Sequence, residues 1–140
     1  MNCCSAMNKF ISLYQDVRVD NIKKSHRKII KIKGNWSKVI FDGDLLLKQK
    51  KSPDYIIFLF NTKCILYCIE VHKARISEVK EKKENFEQLW EQTFNETPLE
   101  TCRKYRFILI ITKRTSINRR YLKQFTMRNI LVKRSIELPL

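Results

Sequence analysis

Residues 54–71 read DYIIFLF-NTK-CILYCIEV. The two outer runs are rich in β-branched and aromatic residues, and the triplet between them carries turn formers, so the segment reads as a β-hairpin with strands 54–60 and 64–71. Both strands are apolar on both faces, which predicts central positions in a sheet covered by helices. With a three-residue loop centred on Thr62, Asp54 stands directly opposite Glu70, their Cβ atoms ~5 Å apart on one face. His72 follows Glu70 by two and shares that face. Lys73 points the other way unless the strand ends before it. The placement depends on loop parity, because a two- or four-residue loop would put the two carboxylates on opposite faces.

Outward from the hairpin, the order of elements is legible. Residues 7–31 read as a helix, with Phe10, Leu13, Tyr14 and Val17 forming a core stripe and Gly34 and Asn35 ending it. Residues 36–47 read as extended, with Asp42-Gly43-Asp44 as a turn or bulge. Residues 76–94 read as a second helix that buries Ile76, Val79, Phe86, Leu89, Trp90 and Phe94. Glu78, four residues before Lys82, makes a supporting pair on it. Residues 106–112 read as a third buried strand. Ser116 caps a helix running to about Met127, with Tyr121 and Phe125 on its core side, and 130–135 read as a last strand before a fraying tail. A single α/β domain is expected over residues 1–140, with an N-terminal helix at about 7–32 and the core at about 36–135. The helical crossover between strands 64–71 and 106–112 predicts mixed or parallel pairing there.

Charge narrows the function. Lys and Arg total 29 against 14 Asp and Glu, a net of +15 over 140 residues, which predicts an anionic partner, nucleic acid first. The excess is uneven. Residues 103–134 hold eleven basic residues and no acidic one, and residues 18–38 hold eight with only Asp20 against them. Lys113, Arg114, Arg119, Arg120 and Lys123 are the candidate nucleic-acid contacts, although a basic helix face is also an ordinary solvated surface. The five cysteines, Cys3, Cys4, Cys64, Cys68 and Cys102, form no C-x-x-C pair. The odd count predicts free thiols and an intracellular, reducing compartment, cytoplasmic or nuclear, with Cys64 and Cys68 as buried thiols. No apolar run reaches the ~20 residues of a membrane span, and the N-terminus lacks the apolar core of a signal peptide.

Opposed carboxylates repel and destabilise a sheet. A divalent cation between them removes the penalty, and Mg²⁺ accepts one or two carboxylates together with waters and phosphate oxygens. Such an ion lowers the pKa of a bound water and stabilises charge on a scissile phosphate. The basic surface and the carboxylate pair therefore point to one class of substrate.

Ser52-Pro53-Asp54, an apolar strand, a turn and Ile69-Glu70-Val71-His72-Lys73 resemble the PD-(D/E)XK nuclease superfamily, and the order of elements from about Met7 to Ser135 is similar to its core. The resemblance implies a restriction-endonuclease-like αβββαβ fold with a central mixed sheet and metal-dependent phosphodiester cleavage. It implies Asp54, Glu70 and the Val71 carbonyl as ligands of Mg²⁺ or Mn²⁺, and a homodimer, since small members often pair. Asp54, Glu70, His72 and Lys73 are the candidate catalytic residues, and DNA ranks ahead of RNA as substrate. The motif lysine belongs at position 72, where this chain has His72. The histidine itself, Lys73, or Lys80 or Lys83 from the following helix are the substitutes weighed. The acidic residue that many members carry on the first helix has only Asp16 and Asp20 as counterparts, Asp42 or Asp44 are candidates for a third carboxylate, and His26 is a remote candidate.

Plainer readings stand beside these. Asp54 after Pro53 starts a strand in many turns. Glu70 paired with Arg75 or Lys73 at a sheet rim needs no metal. Besides a DNA endonuclease, two function classes stay open: a nucleic-acid-binding module of the same fold without cleavage, and an interaction protein for an acidic partner.

Overall fold

The structure, a computed structural model, describes residues 2–47, 50–71, 75–95, 97–102, 105–111 and 119–140. Helix α1 (Cys3–Leu13) is capped by Asn2, whose side chain accepts the Ser5 N–H at 2.8 Å. It buries Cys3, Ala6, Met7 and Phe10, one stripe at the spacing of a single helix face. The elements that follow are β1 (Arg18–Val19), β2 (Ile30–Ile32), β3 (Ser37–Asp42), α2 (Gly43–Leu46), β4 (Tyr55–Phe60), β5 (Cys64–Val71), α3 (Ile76–Thr93), β6 (Arg106–Ile110), α4 (Arg119–Met127), β7 (Ile130–Lys133) and β8 (Ile136–Leu138).

Among the described residues, six strands form one mixed sheet in the order β1-β3-β4-β5-β6-β7. The β3-β4-β5 meander is antiparallel, and β5-β6-β7 are parallel, as the helical crossover requires. The hairpin has the odd loop. Tyr55 pairs with Ile69 and Phe60 with Cys64, so one step further brings Asp54 opposite Glu70.

The long N-terminal helix expected at residues 7–32 is replaced by something shorter. The α1 helix ends at Leu13, which is half exposed, and residues 15–17 form a single 3₁₀ turn. Beyond it the apolar residues alternate with cations and the chain becomes extended: Arg18 and Val19 pair with Phe41 and Ile40, and Ile30 to Ile32 pair with Ile136 to Leu138. The tail therefore does not fray. Ile136 and Leu138 flank exposed Glu137 and are buried against the sheet, a period-two pattern that closes the fold.

The two sheet faces are covered differently. Residues Ile56, Phe58, Leu66, Cys68, Phe107 and Leu109 pack against α1, α3 and Phe125 of α4. Phe10 sits at the centre of this layer, its ring 4.8 Å from Phe41 and 5.6 Å from Phe58. Trp90 is core, as the sequence predicts, and its indole N–H donates to the Thr97 carbonyl at 2.9 Å. The other face, with Tyr55, Ile57, Leu59, Tyr67 and Ile69, is covered by Ile22, Ile30, Ile136 and Leu138 rather than by a helix.

Cys3 pairs with Cys102 and Cys4 with Cys64, with Cα atoms 5.0 and 5.3 Å apart. The bridges tie the start of α1 to β5 and to the segment before β6. Cys68 alone keeps a free, buried thiol. The expectation of a buried free thiol fails for Cys64, which pairs with Cys4, and the two bridges sit poorly with the reducing compartment expected from free thiols. Among the described residues, no helix is long and apolar enough to cross a membrane.

Candidate active site

The hairpin's open end carries the carboxylates. Asp54, half-buried, stands just before β4, and its Oδ2 accepts the Val71 N–H at 2.7 Å. The side chain thus adds one rung to the β4–β5 ladder and fixes Asp54 beside Glu70. Glu70 is 1% exposed, on the face that α1 and α3 cover. The Lys82 ammonium lies against its Oε2. Apart from that ammonium and the Asp54 carboxyl, among the described residues no hydrogen-bond partner reaches the Glu70 oxygens. Burial first, then the neighbouring Asp54 carboxyl, by contact and by charge, raise the Glu70 carboxyl from the usual 4.5 to about 8, against the pull of Lys82.

Lys82 is the residue that sequence reasoning passed over. Lys80 and Lys83 were the expected substitutes for the motif lysine, but Lys80 pairs with Glu84 at 3.8 Å and Lys83 with Glu87 at 2.5 Å along the same helix. The expected Glu78–Lys82 pair does not form either, for Glu78 faces Lys51 at 3.8 Å. The reason is helix phase. Lys82 stands three residues after Val79 and four before Phe86, both fully buried, so its side chain leaves α3 on the sheet side. A lysine inside an apolar stripe was the signal available in the sequence. The rim salt bridge with Arg75 is also replaced, because Glu70 is buried and its cation comes from α3.

Two further carboxylates lie within electrostatic reach. Asp42 Oδ1 accepts the Asp44 N–H at 3.0 Å and caps α2. Burial chiefly, then the charges of Asp54 and Asp42, raise the Asp44 carboxyl, while Lys23 and Lys82 pull it down. The Asp42-Gly43-Asp44 triplet is thus a strand end running into a helix start. Gly43 donates its N–H to the Asp54 carbonyl at 2.8 Å, and its carbonyl accepts the Ser52 hydroxyl. A Cβ there would lie 1.5 Å from the Pro53 carbonyl oxygen. Gly43→Ala must therefore push the Pro53-Asp54 backbone away from β3. We expect a loss of at least about 2 kcal/mol in urea unfolding, together with loss of whatever the carboxylate pair binds. An unchanged midpoint would contradict this close contact.

His26 does not join the pair. Its Nδ1 is 2.6 Å from the Tyr55 hydroxyl, and Tyr55 belongs to the opposite face of the sheet from Glu70. Asp16 and Asp20 are exposed and lie beyond α1. Phe125 is core, and Tyr121 packs partly buried beside it, ring centroids 5.4 Å apart. Arg119, Arg120 and Lys123 are exposed on α4. The candidates His72, Lys73, Lys113 and Arg114, and the expected cap Ser116, lie outside the described residues.

A divalent ion is the group this chemistry implies. Among the described residues, no three His, Cys, Asp or Glu side chains assemble as a metal cluster. Asp54 and Glu70 are the carboxylates that could hold it, and the Val71 carbonyl is the third ligand that the resemblance implies. A buried glutamate beside a second carboxylate fits a cation that draws most ligands from water and substrate. Compared with known proteins, the chain matches no family model, no curated protein and no solved structure.

Proposed function

We propose that the chain is a metal-dependent nuclease of the PD-(D/E)XK type, with a restriction-endonuclease-like core and DNA as its first substrate. One observation carries the reading: a glutamate buried almost completely, opposite an aspartate, with a lysine ammonium against its oxygen, at one sheet end of a strongly basic protein. Carboxylates so arranged are costly for the fold alone. A bound Mg²⁺ or Mn²⁺ offsets the cost.

Asp54, Glu70 and the Val71 carbonyl would hold the ion, which supplies a water of lowered pKa and neutralises charge on the scissile phosphate. The Val71 N–H keeps Asp54 turned toward Glu70. Lys82 takes the part the motif gives its lysine: an ammonium beside the carboxylates, placed to orient a water and to offset negative charge as phosphorus becomes five-coordinate. In hydrolysis the attacking water gives up a proton to solvent as its oxygen bonds to phosphorus, the P–O ester bond breaks, and the departing alkoxide takes a proton from another water.

Incubation of the purified chain with linear, branched and single-stranded DNA and with RNA, in Mn²⁺ and in EDTA, tests the reading. Cleavage in Mn²⁺ alone is expected. Salt-dependent binding without cleavage of any form would leave a binding module instead, and neither would leave an interaction protein.

A further inference from the structure

Among the described residues, cations along α3 and its approach lie against carboxylates: Lys51 is 3.8 Å from Glu78 and 4.0 Å from Glu81, and Lys80, Lys82 and Lys83 each have a carboxyl partner. In residues 22–30, Lys23, Lys24, Arg27 and Lys28 are exposed. Among the described residues, none of these four is in an ion pair.

The segment that carries them is a built platform. Ile22 and Ile30 are buried at its two ends. The Lys23 N–H donates to the Tyr55 hydroxyl at 3.2 Å, and His26 Nδ1 lies 2.6 Å from the same oxygen. Backbone bonds from His26 to the Lys23 carbonyl at 2.8 Å and from Ile29 to the His26 carbonyl at 3.1 Å close the turn, and Arg27 Nε donates to the Ile22 carbonyl at 2.9 Å. Cations on an ordered backbone lose less entropy on binding an anion than cations on a free tail. Tyr55 is the residue after Asp54, so the platform is anchored at the hairpin end that holds the carboxylates. The Lys23 charge reaches Asp44, which also feels Asp54 and Lys82.

We propose that Lys23, Lys24, Arg27 and Lys28, fixed through Ile22, His26 and the Tyr55 hydroxyl, form the phosphate-backbone clamp that seats a nucleic-acid strand beside Asp54 and Glu70. The proposal rests on reading that end as a phosphodiester site. It assigns the principal nucleic-acid contact to the N-terminal segment, where the sequence had pointed to Lys113, Arg114, Arg119, Arg120 and Lys123. The contacts are to phosphates, so the clamp holds strands regardless of base sequence.

The test is anisotropy titration of a fluorescein-labelled DNA duplex in EDTA, over a range of NaCl, so that cleavage plays no part. Three proteins are compared: the parent, a variant carrying Lys23→Gln, Lys24→Gln, Arg27→Gln and Lys28→Gln, and a variant carrying Arg119→Gln, Arg120→Gln and Lys123→Gln. Neutralising four phosphate contacts should flatten the slope of log K against log[NaCl] by about 3.6, and weaken binding at 0.1 M salt by more than about 30-fold. The α4 variant should change both less. All four positions are exposed, so the far-UV spectrum should not change; if it does, the four single substitutions carry the test, each flattening the slope by about 1. A loop variant whose slope equals the parent's, or a parent with no salt-dependent binding, overturns the clamp. Clamp-dependent binding with no cleavage in Mn²⁺ leaves the clamp standing and overturns the nuclease reading.

Discussion

Asp54→Asn and Glu70→Gln are each expected to lower Mn²⁺-dependent cleavage on the order of 10³-fold, with DNA binding in EDTA unchanged. Both substitutions keep side-chain volume and leave no carboxylate to bind the ion, so they strip the cation site without opening a cavity. The amide introduced by Asp54→Asn would keep an oxygen for the Val71 N–H, the bond that Asp54 makes at 2.7 Å. The lysines sharpen the comparison. Lys82→Ala should lose cleavage to a similar extent, because its ammonium lies against Glu70. Lys80→Ala should not, because Lys80 is exposed and pairs only along its own helix with Glu84. Gel assays of substrate decay under single-turnover conditions read all four. Full activity in Asp54→Asn, or loss in Lys80→Ala with retention in Lys82→Ala, would contradict the assignment of roles.

The second large effect is on stability, and its sign follows from Glu70. With the carboxyl raised to about 8, the metal-free folded chain holds a proton that the unfolded chain has released above its ordinary pKa. The unfolded state therefore binds fewer protons than the folded state, so stability falls as pH rises. The contribution is fully present below the ordinary carboxylate pKa, declines from there, and is lost above about 8. Burial of Glu70 is nearly complete, so the effect is on the order of 3–5 kcal/mol across that window. Urea unfolding between pH 5 and pH 8.5 should show the parent losing stability while Glu70→Gln changes far less. Equal slopes in the two proteins would mean that Glu70 ionises in the fold as easily as in water.

Much of this site was legible because period two is a strong constraint. Once strands 54–60 and 64–71 were seen, the Asn61-Thr62-Lys63 turn fixed which residues face each other, and Asp54 opposite Glu70 followed. The α3 helix was legible because it is long and strongly patterned, and β6 because Phe107 to Ile110 is an unbroken apolar run. Lys82 was not found because choosing among Lys80, Lys82 and Lys83 needs the phase of α3 against the sheet, which only its docking residues Val79, Phe86 and Trp90 define together. The N-terminal third misled because Phe10, Leu13, Tyr14 and Val17 fit a helical repeat while Val19, Ile30 and Ile32 were strand residues without a visible partner. Those partners lie in β3 and in the tail, and β2–β8 pairing joins opposite ends of the chain. The cysteine pairs are non-local in the same way: spacing alone says nothing of which thiols meet.

Calorimetric titration of the parent with Mn²⁺ at pH 7, repeated in two buffers of different ionisation enthalpy, tests the cation between Asp54 and Glu70 most directly. Because Glu70 holds its proton up to about 8, binding should be saturable, should release close to one proton per site, and should tighten toward tenfold per pH unit below that value; Asp54→Asn should abolish it. No saturable heat, or binding that Asp54→Asn leaves intact and that releases no proton, would contradict a metal site at this pair.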